Sequence, residues 1–87
     1  MAVEEVEVTV LFFAAARAAA GTSSTQLRLA AGTTPAQLRE LLVGRYGTEL
    51  ARVLEGSALW VNRQPPRPGQ ALRPGDEVAV LPPVSGG

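Results

Sequence analysis

The sequence predicts a small α+β domain in which one main helix packs across a mixed sheet of four to five strands. Three stretches carry that prediction. Residues 3–13 alternate, with Val6, Val8, Val10 and Phe12 on one face and Glu5, Glu7, Thr9, Leu11 and Phe13 on the other. Thr34-Pro35-Ala36-Gln37 reads as a helix start, with Thr34 as N-cap, Pro35 at the first helical position and Gln37 closing a T-x-x-Q capping box. Residues 77–81 alternate again, just after an Arg73-Pro74-Gly75-Asp76 turn with Pro and Gly where a type II turn requires them. The chain has 87 residues, 46% of them hydrophobic, enough for one domain with one core.

Taken in order, residues 3–13 form the first strand, and the valine face is the core face. Residues 14–21 are Ala-rich and predict a short helical turn stopped by Gly21. Residues 25–29 alternate as a second strand. The connection before them is too short for a parallel crossover, so the first two strands are antiparallel neighbours. In the main helix, Leu38, Leu41 and Leu42 make the buried stripe, with Arg39 and Glu40 outward and a stop at Gly47, near Tyr46. Residues 48–55 show a shorter helical pattern, with Leu50, Val53 and Leu54 inward. Residues 58–62 are a strand, and residues 63–70, rich in Pro and Gly, are irregular with room for a short edge strand. Residues 77–81 are the final strand.

Composition removes whole classes of function. The eight cationic residues are all Arg, balanced by eight acids for a net charge of zero, and they form no basic stripe. That argues against nucleic acid and anionic membrane as partners. Without Cys or His the chain holds no disulfide, no thiol nucleophile, no Ser-His triad and no His-based metal site. Without Lys it offers no side-chain amine for Schiff-base chemistry. Residues 10–20 imitate a signal peptide, but Glu4, Glu5 and Glu7 precede them and Arg17 interrupts them. No apolar run approaches the length of a membrane span. A cytoplasmic protein, not catalytic by itself, is expected.

The remaining chemistry lies at the end of the sequence. Pro82 and Pro83 terminate sheet pairing and start an extended segment. The organisation expected is a folded domain over residues 1–81 and a flexible tail over residues 82–87. That tail, Pro82-Pro83-Val84-Ser85-Gly86-Gly87, reaches about 20 Å at about 3.3 Å per residue. Gly86 and Gly87 carry no Cβ, so the tail fits a channel too narrow for side chains and presents the Gly87 α-carboxylate at its tip.

With this element order and this tail, the chain resembles the ubiquitin-like β-grasp sulfur carriers, the MoaD/ThiS superfamily. Within them it looks most like the small subunit of molybdopterin synthase, the MoaD type. The residues that carry the resemblance are Val8 to Ala14 (V-x-V-L-F-F-A), Arg17, Gly21, Val61-Asn62, the run Gly75-Asp76-Glu77-Val78-Ala79, and the tail from Pro82 to Gly87. The resemblance implies a carrier cycle. An adenylyltransferase of MoeB type uses Mg-ATP to adenylate Gly87. Sulfur from a sulfurtransferase or cysteine desulfurase then replaces AMP, leaving a thiocarboxylate. The large synthase subunit, MoaE type, receives the tail in a heterotetramer, and sulfur passes to cyclic pyranopterin monophosphate. The chain itself is implied to bind no cofactor and no metal. Alternatives are a carrier for thiamine, tRNA thiolation or cysteine synthesis, or a ubiquitin-like modifier without sulfur chemistry.

Alternation makes a separate prediction. Phe13, Leu81, Leu11, Trp60 and Ala79 all point away from the helix. Parallel pairing of the first and last strands, as in a β-grasp sheet, sets Phe13 beside Leu81. An exposed cluster of this kind is a protein-binding patch, unless residues 14–20 fold over it.

Overall fold

The computed structural model describes residues 4–82. Seven elements follow one another: β1 (Glu5–Phe12), α1 (Ala14–Ala20), β2 (Ser24–Ala30), α2 (Pro35–Tyr46), α3 (Thr48–Glu55), β3 (Ala58–Val61) and β4 (Glu77–Leu81). The four strands form one mixed sheet in the order β2-β1-β4-β3. The first and last strands are therefore its two central members, paired in parallel through Thr9↔Glu77, Val10↔Val78, Leu11↔Ala79 and Phe12↔Val80. β2 and β3 flank them, each antiparallel to its neighbour.

The period-two pattern becomes a two-sided sheet. Val6, Val8, Val10, Phe12, Leu29, Leu59, Val61, Val78 and Val80 are buried on the helix side, while Glu5, Glu7 and Arg28 stand exposed on the other. The helices close the core with Ala16 from α1, Leu38 and Leu42 from α2, and Leu50 and Leu54 from α3. Phe12 meets Tyr46 edge to face, ring centroids 5.4 Å apart at 78°, an arrangement favoured by the ring quadrupoles.

The capping box forms as its residues dictate. The Gln37 N–H donates to Thr34 Oγ1 at 3.3 Å, and the Thr34 N–H donates to Gln37 Oε1 at 3.0 Å. α2 stops at Gly47, whose N–H bonds the Val43 carbonyl at 2.8 Å. Gly47 sits at φ 87°, ψ −163°, a region that in practice only Gly occupies, and this kink lets α3 start at once in a new direction.

The helix side departs from expectation at two residues. Leu41 is not in the buried stripe: it is 52% exposed, and the stripe runs through Leu38 and Leu42 with Val43 and Tyr46 half-buried beside it. α2 faces both the sheet and α3, which rotates its apolar stripe toward Val43 and away from Leu41. Arg39 is not simply outward. Its half-buried guanidinium donates to the Leu54 carbonyl and, at 3.3 Å, to the Ser57 carbonyl. A cation on the carbonyl end of α3 is favoured by the helix dipole.

Strand limits shift slightly. β1 ends at Phe12, and Phe13 becomes the residue before α1. β3 ends at Val61, because Asn62 and Arg63 turn into positive φ (51° and 68°). Within residues 63–70 there is no edge strand, only an isolated Val61–Gln64 bridge. The Arg73–Asp76 turn forms, with Gly75 at φ 84° and the Asp76 N–H on the Arg73 carbonyl at 3.1 Å. No helix among the described residues is long and apolar enough to cross a membrane.

Candidate functional site

The described part of the site is the end of the sheet from which the tail departs, together with the helix-free face beside it. β4 supplies the root. Its alternation buries Val78 and Val80 completely and leaves Glu77, Ala79 and Leu81 half-buried on the opposite face. Pro82 follows, exposed and outside the strand. Because β4 lies between β1 and β3, the root of the tail is held on both sides by backbone ladders.

The register assembles the predicted patch. Leu11, Ala79 and Trp60 occupy one row across three adjacent strands, through the pairs Leu11↔Ala79 and Trp60↔Ala79. Leu81 lies one row further toward the tail, opposite Ala58. Phe13 is extended (φ −126°, ψ 152°), so alternation carries through it, and the Phe12↔Val80 pair places it at the level of Leu81. Leu11, Ala79, Trp60 and Leu81 are half-buried, shielded by one another as cross-strand neighbours are. Phe13 is 44% exposed, the most open aromatic of the cluster. α1 does not cover this face: it packs against α3 and sends Ala16 into the core on the other side. The tail residues Pro83, Val84, Ser85, Gly86 and Gly87 lie outside the described residues.

The foot of β4 is held by a hydrogen-bonded clamp. Asn62 Nδ2 donates to Asp76 Oδ1 at 2.9 Å, and the Glu77 N–H donates to Asn62 Oδ1 at 3.0 Å. The second Asp76 oxygen accepts the Arg73 N–H at 2.8 Å, and the Asn62 N–H reaches the Glu77 carbonyl at 2.8 Å. Two more main-chain bonds, Gly75 N–H to Glu7 carbonyl and Asp76 carbonyl to Thr9 N–H, tie the turn to β1. The clamp ends β3, starts β4 and fixes the register between them. A one-residue slip would exchange the faces of β4 and turn Leu81 inward. Sequence reading singled out Asn62 and Gly75-Asp76-Glu77 without seeing that they bond each other. It also missed Leu72, a buried residue in the irregular segment whose N–H bonds the Thr33 carbonyl at 2.8 Å.

Among the described residues no group of three or more His, Cys, Asp or Glu could hold a metal ion. The one ion pair among them, Glu7–Arg28 at 3.8 Å, is solvent-exposed. What the described residues offer is a partly exposed apolar face and a firmly held root for the residues that follow β4.

A mixed sheet with parallel central first and last strands and helices on one face defines a ubiquitin-like β-grasp protein. The comparisons place it more closely. Residues 10–87 match the ThiS family model, and the chain belongs to the ThiS family. A Molybdopterin synthase sulfur carrier subunit from Drosophila yakuba is 35% identical over 85 residues, covering 94% of this chain and 92% of that protein. One of the same name from Chlamydomonas reinhardtii is 32% identical over 83 residues, covering 93% and 99%. The crystal structure of SAMP1 from Haloferax volcanii superposes with a TM-score of 0.78 at 27% identity, covering 93% of this chain and 99% of that one. The expected β-grasp fold and MoaD/ThiS kinship are therefore correct, and a sulfur-carrier role is supported.

Proposed function

We propose that this chain is the sulfur carrier subunit of a molybdopterin synthase, with Gly87 as its reactive residue. The observation that carries the reading is similarity to two sulfur carrier subunits over nearly the whole of each chain, in a sequence that ends Pro82-Pro83-Val84-Ser85-Gly86-Gly87. A carboxylate resists nucleophiles until one oxygen becomes a leaving group. An adenylyltransferase partner supplies that group by joining the Gly87 carboxylate to AMP at the expense of Mg-ATP. A persulfide sulfur from a sulfurtransferase or cysteine desulfurase displaces AMP, and the resulting thiocarboxylate enters the large synthase subunit. There its sulfur passes to cyclic pyranopterin monophosphate.

The division of labour follows from chemistry on both sides. With no Cys, His or Lys in the chain, activation belongs to the partners. Pro82, Pro83, Val84 and Ser85 serve as the spacer, Gly86 as the residue small enough for a narrow channel, and Leu11, Phe13, Trp60, Ala79 and Leu81 as the face that docks. Both partners need the tail, so both grip the face beside its root, and their binding is mutually exclusive. A partner holding Leu81 also holds the origin of the tail, which lowers the ordering cost of threading it.

Intact-mass spectrometry of the chain, purified from a sulfur-replete host expressing its activating partner, tests the reading. The expected result is a gain of about 16 Da, one oxygen replaced by sulfur at a carboxyl activated as an acyl group. An unmodified chain found instead in amide linkage to lysines of other proteins would overturn it in favour of a protein modifier.

A further inference from the structure

We propose that the outer edge of β2 is a self-association site, at which two copies of this chain pair antiparallel about Leu27 and join their sheets. β2 and β3 are the two edge strands of the sheet. The outer side of β3 is already engaged, since Val61 and Gln64 exchange N–H-to-carbonyl bonds there at 2.8 and 3.1 Å. β2 differs. The bonds from the Phe12 N–H to the Ser23 carbonyl and from the Ala31 N–H to the Glu4 carbonyl, both 2.9 Å, bracket its ladder with β1 and set the parity. Thr25, Leu27 and Leu29 turn their main-chain groups to β1, and Ser24, Gln26, Arg28 and Ala30 turn theirs outward. Both ends of that outward row are closed. The Thr22 hydroxyl donates to the Ser24 carbonyl at 2.9 Å and accepts the Ser24 N–H at 3.4 Å. The Ala30 carbonyl accepts the Thr33 N–H at 3.1 Å and the Thr33 hydroxyl at 2.7 Å. Between these caps the main-chain groups of Gln26 and Arg28, and the Ala30 N–H, have no partner among the described residues. They form a window for one short strand.

The window matches itself. Centred on Leu27, two antiparallel copies set Gln26 opposite Arg28 of the second copy and Arg28 opposite its Gln26, closing a double hydrogen-bonded pair at each place with open groups alone. Centring on Arg28 would set like charges directly opposite, which is destabilising, and would call on the Ala30 carbonyl, already taken. Centring on Gln26 would call on the capped Ser24. Charge on an edge strand ordinarily blocks such pairing. Here Arg28 pairs with Glu7 across the ladder inside its own chain, at 3.8 Å, which draws its charge away from the joint. The apolar side agrees. Leu27, opposite Val8, lies on the helix side, half-buried at the rim of the core. At the two-fold axis it meets Leu27 of the second copy as a non-hydrogen-bonded pair, the closer kind of cross-strand pair. Leu41, 52% exposed on α2, borders an open hollow with Ala30, Ala31 and Thr33, at the end of β2 where Ser24 of the second copy arrives. Such a joint is isologous and closes at two copies. β1 separates it from β4, so each copy keeps the face beside Leu81 uncovered, and the inference stands independently of the carrier reading.

The test uses the full chain alone. So small a joint gives a transient dimer, so sedimentation equilibrium is run up to about 1 mM chain, where wild type is expected to approach twice its monomer mass. Gln26 is exposed, so changing it leaves the core alone, and circular dichroism melting checks the fold. Gln26→Glu sets a carboxylate opposite Arg28 of the second copy at two places and is expected to tighten the dimer about tenfold; Gln26→Arg sets like charges there and is expected to weaken it about tenfold. The register is read by cross-linking, since the chain has no Cys of its own. At the axis the two residue-27 Cα atoms lie about 4.5 Å apart, within disulfide reach, so Leu27→Cys is expected to oxidise to a covalent dimer. Thr25 stands opposite Leu29 of the second copy, which separates the two residue-25 sites by about 13 Å along the strands, so Thr25→Cys is expected to stay monomeric under the same oxidant. A wild-type chain that remains monomeric at about 1 mM overturns the proposal. So does a dimer indifferent to both Gln26 variants, or one in which Thr25→Cys cross-links as readily as Leu27→Cys.

Discussion

Replacing Phe13 with Asp should weaken binding of the large subunit while sparing the fold, and replacing Phe12 with Ala should damage the fold. The two rings are adjacent in sequence but lie on opposite faces of the sheet, one in the core and one toward solvent. Phe12 is 1% exposed, stacked edge to face on Tyr46 in the centre of the core. Truncating such a ring costs about 3–5 kcal/mol, a large share of the stability of any small domain. In a domain of this size each kcal/mol lowers Tm by about 4–8 °C, so Phe12→Ala should melt far below wild type or not fold. Phe13 is 44% exposed and heads α1 with no side-chain cap bond. Asp is a favoured N-cap, worth about 1 kcal/mol over residues that cannot cap, so Phe13→Asp should hold or slightly raise Tm. In the complex it would bury a carboxylate where an aromatic anchor belongs. The expected loss is about 2 kcal/mol or more, roughly thirtyfold in Kd. Isothermal titration against the purified large subunit reads the binding, and circular dichroism melting reads the fold. A Phe13→Asp chain that binds with wild-type affinity refutes the docking face, and one that unfolds refutes the assignment of Phe13 to the outer side.

Leu42→Ala should cost about 2–5 kcal/mol, since the side chain is wholly buried, while Leu41→Ala should stay within about 0.5 kcal/mol; urea titrations of the pair compare them directly. Asn62→Ala removes two side-chain hydrogen bonds of the β4 clamp and should cost about 1–3 kcal/mol, seen as a lower urea midpoint together with faster amide exchange at Glu77. Deleting Gly87 should abolish sulfur transfer without moving Tm, because β4 and the core end before the tail; wild-type molybdopterin formation by the truncated chain would remove Gly87 from the mechanism.

Local patterns were the legible part of the fold. The Thr34-Pro35-Gln37 start of α2 and the alternation in β1 and β4 are short-range signals, and each formed where its residues required. Sheet order was legible through family resemblance, since nothing local states that β1 and β4 pair in parallel. Leu41 was misread because α2 is apolar at positions 38, 41, 42 and 43, more than one face can hold. The choice between Leu41 and Val43 is made by where α3 docks, a tertiary fact. Leu72 carries no periodic signal in its Pro- and Gly-rich segment, yet the Thr33 carbonyl draws it inward. The outer patch was legible because strand period alone assigns faces, and the Asn62–Asp76 clamp was not, because its halves stand 14 residues apart.

The parallel pairing of β1 with β4 has a consequence for the life of the chain. During synthesis β1 appears first, yet one of its two ladders stays empty until residues 77–81 emerge, nearly at the end of the sequence. Until then the nascent sheet lacks a central strand and exposes an unpaired edge, a hazard for sticking to other chains. A copy shortened before β4 loses the middle of its sheet together with its tail. The last strand therefore makes completion of the sheet wait for residues 77–81, so only a chain made through to the root of the tail can close its core.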